Sequence, residues 1–271
     1  MSRLALRSVG GAGPQCRNVP RETSGPWAQK HPIFHAQQPL QTAGLRLHLT
    51  PPTISAVPTE TRLRQLLAPF GFEPSPVQAT QILAYLQLLL HWNEKINLTA
   101  IRDHDQCITR HFGESLLAAP HLAMADSLLD IGSGAGFPGL ALKIALPELA
   151  VTLLEPVAKK RAFLKEAART CGFTHVEVRG DRLEDFAGAA PLRVFDSAAM
   201  RAVGNLPGLV PLAARCLKPQ GSLLLWLTHD QAADIESLTP TLTWSKPLSI
   251  PLSRAEEIWR GKKRAPTLAG G

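Results

Sequence analysis

The sequence predicts an α/β protein, in which a mostly parallel sheet is covered by helices on both faces and preceded by a helical cap. Three observations carry that prediction. From residue 127 onward, short apolar runs of strand length alternate with longer segments of helical spacing. A glycine-rich string, Gly132-Ser133-Gly134-Ala135-Gly136-Phe137-Pro138-Gly139, separates the first such run from the first helix behind it. Ahead of both, residues 58–120 carry only helical periodicity.

Residues 1–57 hold seven prolines and five glycines without sustained periodicity, the composition of a disordered extension. Their start is Arg-rich and acid-poor like an organellar targeting segment but lacks the apolar core of a secretory signal; an upstream-extended start codon accounts for it at least as well. Met124 is the first methionine after Met1, so a later start would be non-ATG, for instance near Val57.

The cap, 58–120, opens with Leu63, Leu66, Leu67 and Phe70 at helical spacing. A second helix runs from about Pro76, in its first turn, to Trp92, with Val77, Ile82, Leu86, Leu89 and Leu90 as its apolar side. A loop over 93–102 leads to a third helix from about Gln106 to Ala118. In the domain over 121–271, the expected order is strand Ser127 to Ile131, helix Gly139 to Ala145, strand Ala150 to Leu154, helix Val157 to Thr170 and strand His175 to Arg179. It continues with strand Val194 to Ala198, helix Leu206 to Leu217, strand Ser222 to Leu227 and weaker strand-like segments near Thr241 to Ile250 and Glu256 to Trp259. Ligands of such sheets bind outside the carboxyl ends of the strands.

Composition excludes several classes. Apolar residues make up 45% of the chain, enough for a core, yet no apolar run approaches the ~20 residues of a bilayer helix. The four cysteines, Cys16, Cys107, Cys171 and Cys216, form no C-x-x-C pair, so neither a zinc site nor a disulfide framework is expected, and a reducing, cytoplasmic compartment is. The net charge of +7 belongs mostly to the extension, where Arg3, Arg7, Arg17, Arg21, Lys30 and Arg46 face Glu22 alone. Five of the seven charges lie there, so composition gives the folded part no nucleic-acid signature of its own.

The glycine string carries the chemistry. Glycines permit positive φ and a close backbone approach to a ligand, and the helix behind them offers free N–H groups. Gly134 to Gly139 also satisfies the dinucleotide fingerprint G-x-G-x-x-G. The second strand ends in Glu155, where a carboxylate can accept ribose hydroxyls, as nicotinamide and S-adenosyl-L-methionine (SAM) sites both require. The register points toward SAM: the first strand ends in Asp130 and the glycines begin two residues later as G-x-G-x-G. Asp130 either holds the loop or approaches the SAM ammonium group.

Here a specific resemblance enters. Asn97-Leu98-Thr99-Ala100-Ile101-Arg102-Asp103, Arg110-His111-Phe112, Asp130 to Gly139, Leu153-Leu154-Glu155, Lys160 to Leu164, Arg182-Leu183-Glu184-Asp185 and Met200-Arg201-Ala202 resemble the bacterial glucose-inhibited division protein B family, over about residues 60–227. That family methylates N7 of a guanine in 16S ribosomal RNA. The resemblance implies a Rossmann-like class I SAM-dependent methyltransferase fold, SAM as cofactor, and 16S ribosomal RNA in the small ribosomal subunit as partner. It implies cofactor contacts from Gly132, Gly134, Gly136, Phe137, Glu155, Leu183, Glu184 and Arg201, no metal, and a monomer. Three departures stand out: Glu155 where the family often has Asp, Gly113-Glu114-Ser115 in place of Leu-Asp-Ser, which implies a looser cap helix, and Thr228-His229 where a lysine-glycine pair is expected.

The implied chemistry needs no general base. Guanine N7 carries an in-plane lone pair at neutral pH, so catalysis is in-line positioning. Neither a Pro-Cys motif nor an Asn/Asp-Pro-Pro-aromatic tetrapeptide is present for other base methylations. Phosphate contacts are expected from Lys159, Lys160, Arg161, Lys165 and Arg169, and from Arg260, Lys262, Lys263 and Arg264. Two readings from other classes are a nicotinamide-dependent oxidoreductase using Gly134 to Gly139, and a non-catalytic RNA-binding relative, to which Thr228-His229 would point.

Overall fold

Pro76 and Ser75 start the longest helix of the cap in a way local chemistry dictates. Ser75 Oγ accepts the Gln78 N–H and Gln78 Oε1 accepts the Ser75 N–H at 2.9 Å, a reciprocal capping box with proline in the first turn. This helix, α2 (Pro76–Asn93), follows α1 (Glu60–Leu67), itself capped by Thr59. The computed structural model describes residues 58–189, 194–232, 235–253 and 256–265; the extension expected over 1–57 lies outside them.

The third cap helix departs from expectation. It begins at His104 and is built of α3 (His104–Gln106), a π-helical stretch Cys107–Gly113 and α4 (Glu114–Leu116). The wider stretch spans Arg110-His111-Phe112, and π-helical insertions are frequent at functional sites. Gly113 serves packing: a Cβ there would lie 2.5 Å from the Phe70 ring, which fills the space. The helix that Gly113-Glu114-Ser115 was expected to loosen is therefore packed and, through Glu114, tightly bonded.

Beyond the cap come β1 (Ser127–Ile131), α5 (Gly139–Ala145), β2 (Ala150–Leu154), α6 (Ala158–Thr170), β3 (Val176–Arg179), α7 (Leu183–Ala189), β4 (Phe195–Arg201), α8 (Leu206–Cys216) and β5 (Leu217–Thr228). The chain continues through α9 (His229–Ala232), α10 (Ile235–Leu238), β6 (Leu242–Trp244), β7 (Leu248–Ser249) and β8 (Glu256–Lys263). The sheet order is β3-β2-β1-β4-β5-β8-β6, with β7 also on β8. The first five strands pair in parallel, and β8 runs antiparallel to its neighbours β5, β6 and β7. Helix α7 was not anticipated, β4 runs three residues further than expected, and β5 starts five residues earlier.

Neighbouring residues of the central strands face opposite cores. Leu128, Leu153, Ala199 and Leu224 join Tyr85, Leu86, Phe112, Leu140 and Phe163 on the cap side. Leu129, Leu154, Ala198 and Leu223 join Phe186, Val210 and Ala213 on the other. Burial on both faces explains why these strands read as continuous apolar runs. Because the strand order reverses direction between β1 and β4, a crevice opens at their carboxyl ends. Among the described residues, no helix is long and apolar enough to cross a membrane.

Candidate active site

The loop between β1 and α5 can be made only by glycine at three points. Gly132, Gly134 and Gly136 have φ of +71°, +57° and +84°, conformations that cost a branched side chain dearly. The loop is fastened from three directions. From β2, the Leu154 carbonyl accepts the N–H groups of Gly132 and Ser133 at 2.9 and 3.0 Å, and Glu155 Oε2 accepts that of Gly134 at 2.9 Å. From beneath, Asp130 Oδ2 accepts the Gly139 N–H at 3.1 Å. From the cap, the buried Tyr85 hydroxyl donates to the Ala135 carbonyl at 2.5 Å.

Two carboxylates flank this loop. Asp130 is fully buried and its Oδ1 has no partner among the described residues; burial pushes its pKa up to about 7. Glu155 accepts the Val157 N–H with Oε1 at 2.8 Å, so each of its oxygens is held by one backbone amide and keeps a lone pair for a further donor.

Two adjoining clefts meet at the loop. The larger, about 460 Å³, lies over the ends of β1, β2 and β4 and is lined by Leu154, Leu183, Glu184 and Val203. The smaller, about 320 Å³, lies toward the cap and is lined by Thr99, His111, Ser133, Phe137, Arg201 and Glu256. Gly132, Glu155, Lys160 and Ala202 border both. A Cβ on Gly132 would meet Val203 Cγ1 at 2.7 Å.

Of the residues the sequence nominated, Gly132 and Glu155 thus border both clefts, Gly134, Phe137 and Arg201 the smaller, and Leu183 and Glu184 the larger, in the first turn of α7. Gly136 borders neither; a Cβ there would collide with the Tyr85 hydroxyl and lie 2.9 Å from Leu140 Cδ1, so packing explains its lack of a side chain. Arg201 is the last residue of β4, not beyond it, and is mostly buried. Its guanidinium donates to the Arg110 carbonyl at 2.6 Å and the Ser115 hydroxyl at 3.3 Å and forms an ion pair with Glu114. Glu114 also pairs with Arg110 at 2.7 Å, and Arg110 with Glu256 at 3.3 Å. Burial works against both charges of the Arg201–Glu114 pair, lowering the arginine pKa and raising the glutamate pKa, while their mutual attraction opposes it.

His111, Thr99, Lys160 and Glu256 were not singled out as cofactor-site residues. The His111 ring stacks on Phe137 at 4.9 Å and 19°, and Phe137 on Tyr85 at 5.3 Å and 5°. Burial, then the cations of Arg201 and Arg110, lower the His111 pKa to about 3, so it is neutral. Only the Arg110-His111-Phe112 string marked this residue in the sequence.

Residues 78–257 match the family model described as rRNA small subunit methyltransferase G, known as GidB. The chain belongs to this family. Its relative in Stenotrophomonas maltophilia, a ribosomal RNA small subunit methyltransferase G, is 37% identical over 213 residues, 75% of this chain and 92% of the relative. The Aromatoleum aromaticum protein of the same name is 39% identical over 166 residues, 60% of this chain and 77% of that one. A Klebsiella pneumoniae protein solved as a candidate O-methyltransferase shares the fold at a TM-score of 0.51 and 18% identity, over 75% of this chain and 96% of that one. Membership of a methyltransferase family leaves the nicotinamide reading without support.

Family membership does not make every basic residue a ligand for RNA. Arg161 Nη1 donates to the carbonyls of Glu155 and Pro156 at 3.0 and 2.6 Å. Lys263 Nζ donates to those of Ala214 and Leu217 at 2.6 and 2.7 Å. Both cations are thus engaged by the fold.

Proposed function

We propose that this chain transfers the methyl group of SAM to N7 of a guanine in the 16S ribosomal RNA of the small subunit. The observation that carries it is the positive-φ glycine loop held between Asp130 and Glu155 at the meeting point of two clefts, in a family whose relatives are named as small-subunit rRNA methyltransferases. SAM supplies an electrophilic methyl group on a sulfonium.

The residues fit that cofactor. Glu155 borders both clefts and keeps a lone pair on each oxygen for a ligand hydroxyl, while Asp130 lies buried beneath the loop with Oδ1 unpartnered among the described residues. Leu183 and Glu184 would meet the adenine, Glu155 the ribose hydroxyls, and Gly132 the chain between them. Gly134, Phe137 and Arg201 would border the methionine end. Residues 121–271 would then hold the cofactor while Thr99 and His111, from the cap over 58–120, wall the acceptor side.

N7 presents its own lone pair, so no base has to remove a proton. Alkylation puts positive charge on the guanine ring, and the acceptor side suits it: His111 is neutral and Glu114 offsets Arg201. Positioning of N7 against the methyl carbon supplies most of the rate, up to about 7–11 kcal/mol for well-oriented reactants.

The test is calorimetric titration with SAM, followed by incubation with small subunits and methyl-labelled SAM. SAM should bind, and the label should appear as 7-methylguanine in 16S RNA. Gly132→Val and Glu155→Ala should each weaken SAM binding at least about tenfold while the far-UV spectrum is kept. Label on another base or on protein would overturn the substrate; unchanged affinity in both variants would overturn the site.

A further inference from the structure

His111 is held more tightly than a wall residue needs to be. Its plane is fixed by the stack on Phe137, and its Nε2 lies 2.7 Å from Thr99 Oγ1. Thr99 is itself clamped, because Asn93 Oδ1 accepts its N–H at 3.0 Å and Asn93 Nδ2 donates to its carbonyl at 2.9 Å. The Thr99 hydroxyl oxygen accepts the Ile101 N–H at 3.1 Å.

These bonds favour one tautomer of His111. With a backbone amide already donating to its oxygen, the Thr99 hydroxyl keeps its proton to give, and among the described residues Nε2 of His111 is its one acceptor. When the Thr99 hydroxyl gives its proton to Nε2, the ring proton sits on Nδ1. Nδ1 has no partner among the described residues and is not enclosed, and His111 lines the smaller cleft. The cap thus presents one oriented N–H donor to the space where the methyl acceptor would lie.

We propose that His111 reads the acceptor base, its Nδ1–H donating to O6 of the guanine whose N7 is methylated. This deepens, and rests on, the guanine-N7 reading above. The major-groove edge of guanine offers two acceptors, N7 and O6, whereas adenine places an amino donor beside N7. A donor aimed at O6 leaves the N7 lone pair for the methyl carbon and meets adenine donor to donor. Thr99 is then a positioning residue: it acts through the His111 tautomer.

The experiment crosses protein variants with an atom of the substrate. Wild type, His111→Ala, His111→Phe, His111→Asn and Thr99→Val are assayed on small-subunit particles carrying either guanine or 2-aminopurine at the target position. 2-Aminopurine keeps N7 and lacks O6. On guanine, His111→Ala and His111→Phe should lower kcat/KM by about 10- to 100-fold, the worth of a specific base contact. His111→Asn should recover part of that loss, and Thr99→Val should lose several-fold. On 2-aminopurine, wild type should already be slow and the His111 variants little slower. SAM affinity should not change in any of them.

His111→Phe keeps the stacked ring, so it decides the matter if the alanine variant does not fold. An equal penalty on both substrates, or a loss explained by SAM affinity, would overturn the inference. A wild type that leaves guanine unmethylated would overturn the underlying reading instead.

Discussion

The Tyr85 hydroxyl and the Ala135 carbonyl form a buried 2.5 Å hydrogen bond that ties α2 of the cap to the glycine loop. Tyr85→Phe leaves that carbonyl enclosed without a donor, which should cost about 1–3 kcal/mol in denaturant unfolding. Gly136→Ala should destabilise too, because its Cβ would strike the same hydroxyl and φ is +84°. Removing the hydroxyl removes the closest collision, so the double variant should lose less than the two single losses added together. Strict additivity would show that the hydroxyl and Gly136 do not share this space.

Asp130 makes stability and cofactor binding depend on pH. Its folded pKa, raised to about 7 by burial, lies above the ordinary carboxylate value, so the stability it contributes is full below about pH 4 and is lost as pH rises through 7. Asp130→Asn should therefore gain on wild type between pH 4 and 8, by a few kcal/mol at most, in chemical unfolding at each pH. A cationic ligand favours the ionised carboxylate, so SAM should bind wild type more tightly at pH 8 than at pH 6. A wild-type affinity that is flat with pH, or an Asn variant with the same slope, would refute the linkage.

His111 acts with the opposite sign over nearly the same pH range. Its folded pKa is lowered to about 3, so between pH 6.5 and 3 the unfolded chain takes a proton that the folded chain refuses, and stability falls as pH falls. His111→Asn should show a shallower acid loss than wild type in melts from pH 7 to 4. Parallel curves would mean that the imidazole is protonated in the fold.

The Glu114 carboxylate holds two arginines with its side chain only 1% exposed. Glu114→Gln leaves Arg201 enclosed without its counter-charge, a change that costs about 3–5 kcal/mol when a buried pair is broken. Glu114→Asp keeps the charge at shorter reach and should lose less. Thermal melts would rank wild type above Asp above Gln; equal melting temperatures would show that the pair contributes nothing.

How legible each part was follows from how local its causes are. The bounds of β1, α5 and β2 could be read from sequence because apolar runs and glycine punctuation are local signals. Gly132 and Glu155 could be nominated from position because each directly follows a parallel strand, whereas Leu183, four residues past β3, was nominated through the family resemblance. Helix α7 was missed since seven residues give too little periodicity. Expecting β4 to stop at Ala198 ignored Glu114, which lets an arginine end a buried strand from 87 residues away. His111 and Thr99 reach the cleft only because the cap folds against the loop through Tyr85, a relationship no spacing encodes.

The two basic clusters should differ in their effect on methylation, because the sheet separates them. Lys159 and Lys160 open α6 just beyond Glu155, and Lys160 borders both clefts. Strand β8 is antiparallel to β5, pairing Glu256 with Thr228 at the cleft end and Lys262 with Ser222 at the other. Six residues of strand place Lys262 about 20 Å along the sheet from that end. Arg260, between them, donates to Ser222 Oγ at 3.3 Å. On the proposed function, RNA entering the smaller cleft would meet Lys159 and Lys160 first. Replacing both with glutamine should lower kcat/KM on small subunits and reduce the slope of its logarithm against log salt by about 1.5 to 2 units, with SAM affinity kept. Glutamine at Arg260 and Lys262 should leave both the rate and the slope close to wild type. Equal effects of the two pairs would mean that the RNA wraps the sheet from end to end, and a larger effect of the second pair would place the RNA on the opposite edge.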